Sequence, residues 1–106
     1  MTWVVETLGR RVDDEIAILP PEVQAKLLWI MERVEATGLS ELRPPHISYL
    51  GQELYELRAK GHGGIGRALF VLRGQRVVVV HVFQKKTQKT PQQAIRLAME
   101  RAKGVR

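Results

Sequence analysis

The chain has no cysteine, and this absence excludes several kinds of chemistry. Without thiols, the protein cannot form disulfides, thiolate zinc sites or a cysteine nucleophile. No apolar run approaches the ~20 residues of a membrane-spanning helix, and the first ten residues lack the basic-then-apolar order of a signal peptide. We therefore expect no disulfide framework and no membrane partner, and we expect the cytoplasm as the compartment.

Acidic residues are scarce in the second half of the chain. Residues 54–106 contain no Asp and two Glu, Glu56 and Glu100, beside twelve of the 17 Lys and Arg residues. This half carries a net charge of +10, whereas residues 1–53 carry −4. So uneven a field attracts a polyanion to one part of a small protein. The shortage of carboxylates argues against a metal site or a carboxylate acid–base pair in the basic half.

The length and the apolar patterns predict one small domain. With 106 residues, the chain fits a single domain over 1–106. The patterns predict an α+β fold in the order β-α-α-β-β-β-α, with an antiparallel sheet, an N-terminal helical hairpin and a C-terminal helix. Residues 39–53, which contain Pro44, Pro45 and Gly51, are predicted to be a connector without regular structure.

Two local signals make detailed predictions near the end of the chain. Gly74-Gln75 suits a two-residue type II′ turn between strands 65–73 and 76–84. With that turn, Arg67 would lie opposite Val82, on the face that also carries Gln84 and Lys86. Thr90-Pro91-Gln92-Gln93 has the pattern of a capping box, so we expect the Thr90 side chain to cap the last helix.

The histidines do not have the spacing of a metal site. His46, His62 and His81 lie 16 and 19 residues apart, so no metal and no cofactor is expected. Within its apolar strand, His81 is predicted to be a hydrogen-bonded core residue. His62 lies in a glycine turn, where it either contacts RNA or is an exposed loop residue without a function. Trp3 and Trp29 are predicted to be packing residues and not platforms for stacked bases, and Asp13-Asp14-Glu15 to be a solvated first turn of a helix.

The cations of the basic half are predicted to converge on one concavity. Arg58 and Lys60 share one face of a strand, Arg67 lies on the next strand, and three lysines follow the third strand: Lys85, Lys86 and Lys89. An external polyanion such as an RNA backbone would supply their counter-charge. The alternative is salt bridging within the chain, to Glu41, Glu53 or Glu56, or to an acidic partner protein.

Three segments carry a resemblance to a known family. They are Leu54-Tyr55-Glu56-Leu57-Arg58, Gly66-Arg67-Ala68-Leu69-Phe70, and the run from Val79 to Pro91 with the sequence VVHVFQKKTQKTP. Over residues 50–106 the chain resembles the phage-derived, HigB-like branch of the RelE/HigB toxins of type II toxin–antitoxin systems. It departs from that pattern by having Phe70 where the family often has Tyr, and by a longer glycine turn before Arg67.

The resemblance implies a curved antiparallel sheet with a basic concave face and a toxin that inhibits translation. Its implied activity is that of a ribosome-dependent mRNA endonuclease, an mRNA interferase, in which a ribose 2′-OH attacks the adjacent phosphate without a metal ion. The implied partners are the ribosome, its mRNA and a small helix-turn-helix antitoxin. Two alternatives stay open: a toxin of the ParE type that acts on gyrase, and a basic phage or nucleic-acid-binding accessory protein without activity.

On this interpretation the cations have different roles. Arg67 is predicted to stabilise the transition state, and Arg58 to orient the phosphate. Either Lys85 or Lys86 is predicted to transfer a proton. Contacts to RNA or to the ribosome are predicted for Lys60, His62 and Lys89.

Overall fold

A computed structural model of the protein describes residues 2–84 and 89–106. In chain order its elements are β1 (Val4–Thr7), α1 (Arg10–Ala17), α2 (Pro21–Thr37), β2 (Ile47–Gly51), β3 (Leu54–Gly61), β4 (Gly64–Arg73), β5 (Arg76–Gln84) and α3 (Gln92–Ala102). Within these described ranges, no helix has the length and the apolar character needed to cross a membrane.

The five strands form one sheet in the order β1-β5-β4-β3-β2. The α+β class, the N-terminal helical hairpin and the C-terminal helix are confirmed. The prediction of a purely antiparallel sheet is wrong at one edge, because β1 pairs in parallel with β5, with Val5 opposite Val77. These two strands are separated by most of the chain, so no turn signal could reveal how they pair.

The interpretation of residues 39–53 as a connector was also wrong, because they contain β2. This strand forms a hairpin with β3 in which Tyr49 pairs with Tyr55. The turn residues Gln52 and Glu53 both have positive φ, 53° and 67°, as a two-residue type I′ turn requires. Glycine and asparagine usually mark such turns, and a Gln-Glu pair gives no such signal.

Helices cover both faces of the sheet. Helices α1 and α2 pack on one face, against side chains that include Leu57, Ala59, Ala68, Phe70, Val77, Val79 and Val82. Helix α3 packs on the other face, through Ala94 and Ala98, against Leu54, Leu69, Val71, Val78 and Val80. Because α3 has 11 residues, it leaves part of this second face to polar side chains.

Strand β5 contains a bulge that changes the predicted register. The turn itself is confirmed, because Gly74 has a φ of 62° and Arg73 pairs with Arg76. However, Phe70 pairs with Val79 and Leu69 with His81, so that Val80 is an extra residue.

One register prediction is therefore wrong. Arg67 lies opposite Phe83 and not Val82. The Val82 side chain belongs to the core under α1 and α2.

Trp29 was predicted to be a packing residue, but it is 53% exposed. Its ring lies beside the apolar stripe of α2, where Lys26 Nζ is 4.6 Å and the Arg33 guanidinium carbon 5.8 Å from the ring centroid. Both cations lie within the distance at which a cation is attracted to an aromatic face. The same prediction is confirmed for Trp3, which packs against the main core.

Gly66 allows α2 to approach β4, and this contact generates a prediction. A Cβ atom at Gly66 would lie 2.7 Å from Val23 Cγ1 and 3.4 Å from Leu19 Cδ1. Gly66→Ala should therefore lower the free energy of unfolding by about 1–3 kcal/mol, measured by urea denaturation. Gly104→Ala is the control, since its Cβ would meet Arg101 O at an ordinary 3.5 Å. Equal stability of the two variants would contradict this close packing.

Candidate nucleic-acid interface

Two arginines lie side by side on the face of the sheet that α3 partly covers. Arg58 on β3 and Arg67 on β4 are direct cross-strand partners. Side chains in such positions have Cβ atoms about 4.5–5.5 Å apart, and like charges there repel each other. The pair therefore needs a counter-charge.

Glu56 supplies this counter-charge. It precedes Arg58 by two residues on β3, so both side chains point to the same face. Arg58 Nε donates to Glu56 Oε1 at 2.7 Å, and Arg67 NH1 lies 3.9 Å from Glu56 Oε2. The carboxylate is fully buried. The other acids considered as partners bind elsewhere: Glu41 pairs with Arg33 and Glu53 with Arg73.

Thr90 completes the surroundings of this carboxylate. Its hydroxyl donates to Glu56 Oε2 at 2.5 Å. The predicted capping role is wrong, because α3 begins at Gln92 after Pro91, without a side-chain cap. Pro91 occupies the cap position of α3, and the Thr90 hydroxyl instead donates a charge-assisted hydrogen bond to the buried carboxylate. Sequence reasoning missed this contact, since Glu56 and Thr90 are far apart in the chain.

Exposure separates the two arginines. The Arg58 side chain is 22% exposed, whereas that of Arg67 is 1% exposed. Burial lowers the pKa of Arg67, the nearby Arg58 charge lowers it further, and Glu56 raises it. A guanidinium nevertheless remains protonated in proteins. The site thus has an outer cation and an inner one around a single carboxylate.

The structure brings only some of the other predicted residues to this site. Lys60 follows Arg58 by two positions on β3 and is exposed on the same face. His62 lies in the β3–β4 turn, and Lys89 directly precedes Thr90; both are exposed. The predicted residues Lys85 and Lys86 lie outside the described residues. In ranges 2–84 and 89–106, no group of three or more His, Asp or Glu side chains is placed to hold a metal ion.

A second polar network lies at the bulge of β5. Glu15 on α1 was predicted to be solvated, but its Oε1 lies 3.1 Å from His81 Nδ1 and accepts the Val82 N–H at 2.9 Å. Arg101 on α3 lies 3.0 Å from Glu15 Oε2 and donates to the Val80 carbonyl at 2.9 Å. The predicted hydrogen bonding of His81 is confirmed, but its predicted core position is wrong, because the side chain is partly exposed and lines a groove. These contacts satisfy backbone groups of β5 beyond Val79, where its pairing with β1 ends.

An open groove lies between the end of β5 and α3. The rings of His81 and Phe83 stack there with centroids 5.0 Å apart. The groove has a volume of about 480 Å³, and among the described residues Pro91, Gln93, Ala94 and Leu97 also line it. Since Phe83 is the cross-strand partner of Arg67, the groove adjoins the arginine pair.

Comparison with known proteins agrees with this architecture. A family model described as phage derived protein Gp49-like matches residues 14–103. No curated protein matches the chain.

Solved structures share the fold at low sequence identity. A mutant of the toxin RelE from Escherichia coli, in its free state, superimposes with a TM-score of 0.67 at 14% identity, covering 95% of this chain and 98% of that one. An archaeal RelE–RelB complex from Pyrococcus horikoshii gives 0.57 at 17% identity, covering 79% and 96%. The toxin–antitoxin complex RelBE2 from Mycobacterium tuberculosis gives 0.54 at 17%, covering 80% and 100%.

The predicted resemblance is thereby confirmed for the phage-derived family and for the fold. The family model spans most of the chain, and the RelE superposition spans nearly all of it. The chain belongs to the phage derived protein Gp49-like family, and its fold is that of the RelE toxins.

Proposed function

We propose that this protein is the toxin of a type II toxin–antitoxin system and acts as a ribosome-dependent mRNA endonuclease. The observation that carries the proposal is the Arg58–Arg67 pair, in which two guanidinium groups share the carboxylate of Glu56. The trio keeps a net charge of +1, and guanidinium groups bind phosphate well. Family membership and the RelE-type fold support the toxin role.

The proposed reaction is an internal phosphoryl transfer in the mRNA. The ribose 2′-oxygen attacks the adjacent phosphorus and loses its proton, while the bond from phosphorus to the 5′-oxygen breaks. The products are a 2′,3′-cyclic phosphate and a 5′-OH that has gained a proton. Lys85 or Lys86 is proposed to transfer one of these protons. Side chains thus supply both charge and proton transfer, and no metal or cofactor takes part.

From the sequence, Arg67 is predicted to stabilise the transition state and Arg58 to orient the phosphate, but the burial of Arg67 favours the reverse assignment. Arg58, as the exposed guanidinium, is proposed to contact the phosphate and the extra charge of the transition state. Arg67 lies behind it, where its charge acts through a medium of low dielectric constant. Glu56 is a positioning residue, because its carboxylate is fully buried and pairs with both arginines.

The remaining cations are proposed to hold RNA or ribosomal RNA. Lys60 lies beyond Arg58 on the same face, and His62 and Lys89 are exposed. Contacts of this kind with phosphates weaken as the salt concentration rises. A small antitoxin is proposed to neutralise the toxin in the cytoplasm, where ribosomes and mRNA are found.

The function is tested by induced expression and mapping of mRNA 5′ ends. We expect growth arrest, cuts in phase with codons, and restored growth when the short reading frame next to the gene is co-expressed. Gyrase-dependent DNA damage without cuts would favour the ParE-type alternative. Unhindered growth would favour an accessory protein without activity and would contradict both toxin interpretations.

Substitution of the exposed arginine tests the site. Arg58→Ala should lower the cleavage rate on saturated ribosomes by about 10²–10³-fold, because one transition-state contact is lost. The control is Lys103→Ala, which removes a cation that is 75% exposed on α3 and paired with Glu100. Equal rates for Arg58→Ala and the control would refute the assignment of Arg58.

The inner arginine needs a different substitution. Arg67→Lys keeps the positive charge near Glu56 but loses the planar fork of the guanidinium. If Arg67 acts through its charge, this variant should retain cleavage within about tenfold of wild type on saturated ribosomes. A loss as large as that of Arg58→Ala would instead show that Arg67 grips the phosphate directly.

The two glutamates of the basic half provide a matched pair of variants. Glu56→Gln should lower the free energy of unfolding by about 3–5 kcal/mol, because Arg58 and Arg67 lose their buried counter-charge. Inorganic phosphate should raise the melting temperature of this variant more than that of wild type. Glu100→Gln, at an exposed position, should change stability by less than about 0.5 kcal/mol. Similar melting curves for both variants would contradict the role of Glu56.

A further inference from the structure

We infer that the groove beside Phe83 binds one unpaired nucleobase of the RNA whose phosphate lies on the arginine pair. This inference rests on the proposed function and adds a binding site for the base. Arg58, Arg67 and Phe83 form a row across β3, β4 and β5, because each is the register partner of the next. Neighbouring strands lie ~4.8 Å apart, so the aromatic ring follows the two cations at the spacing of one strand.

The lining of the groove matches the chemistry of a base. The stacked rings of His81 and Phe83 offer an aromatic surface, and Ala94 and Leu97 on α3 provide an apolar wall. The amide of Gln93 can both donate to and accept from the polar edge of a base. The volume of about 480 Å³ lies within the range of small-molecule pockets. Proteins commonly recognise single-stranded RNA by stacking its splayed bases on aromatic rings.

The network at the bulge holds this aromatic surface in place. Glu15 from α1 fixes the His81 ring through Nδ1, and Arg101 from α3 fixes Glu15. Three elements thus set the position of a ring that stacks on Phe83. Glu15 is therefore a positioning residue for the base site, although it lies outside the groove lining.

Binding of an oligonucleotide that cannot be cut tests the inference. The probe is a single-stranded RNA tetranucleotide with 2′-O-methyl groups throughout and one 2-aminopurine, whose fluorescence reports stacking. A second probe has an abasic residue at the same position and carries a distant dye. Wild type should bind the base-containing probe about 5- to 150-fold more tightly than the abasic one, the range of stacking on one aromatic residue.

Variants locate the effect. Phe83→Leu should remove most of this preference for a base and leave affinity for the abasic probe unchanged. Glu15→Gln should reduce the preference partly, with a cooperative melting curve showing that the fold is kept. Trp29→Leu is the matched control, because it removes an exposed aromatic ring on α2, and it should bind both probes as wild type does.

Three results would overturn the inference. The first is equal binding of both probes by wild type, which would leave the arginine site and the proposed function intact. The second is an undiminished preference in Phe83→Leu; if that variant also loses antitoxin binding, the groove is a protein-docking surface. The third is binding of neither probe, in which case the codon-phased cuts described above decide separately whether the proposed function stands.

Discussion

A buried carboxylate with two hydrogen-bond donors and one further ion-pair partner holds the site together. Transfer of an ionised Glu56 out of water costs several kcal/mol unless partners replace its hydration. Here Arg58 from the same strand, Arg67 from the next strand and the Thr90 hydroxyl before α3 take that role. Because the Glu56 carboxylate needs these partners, it connects β3, β4 and the residue that precedes Pro91 at the start of α3. The same carboxylate keeps both arginine side chains in position.

The ratio of charges at this carboxylate connects stability with function. One carboxylate for two guanidinium groups allows the arginines to lie side by side and still leaves a positive charge for an anion. A second acid at this place would stabilise the pair and cancel that charge, and residues 54–106 have only Glu100 besides Glu56. The distant Glu100 pairs with Lys103 on the surface of α3. The scarcity of acidic residues in this half of the chain thus favours a site in which the positive charge of the arginine pair is only partly neutralised.

Local signals predicted the parts of the site that depend on neighbours in sequence. Alternation along β3 and β4 placed Arg58 and Arg67 on one face, and Gly74 identified the turn after β4. The contacts of Thr90 with Glu56 and of Glu15 with His81 join residues 34 and 66 positions apart. Such contacts depend on how helices dock on the sheet, and no periodicity in a single chain encodes them.

The bulge at Val80 shows how a feature that the sequence pattern does not reveal changes the site. A shift of one residue moves every later side chain of a strand to the opposite face. Without the bulge, His81 and Phe83 would point into the core under α1 and α2, and Val82 would lie beside Arg67. With it, Val82 enters that core and Phe83 becomes the neighbour of Arg67. Glu15 accepts the backbone N–H of Val82 and Arg101 donates to the carbonyl of Val80, so both side chains contact the backbone at the bulge. An acid on the first helix and a base on the last therefore stabilise the register that places Phe83 next to the arginine pair.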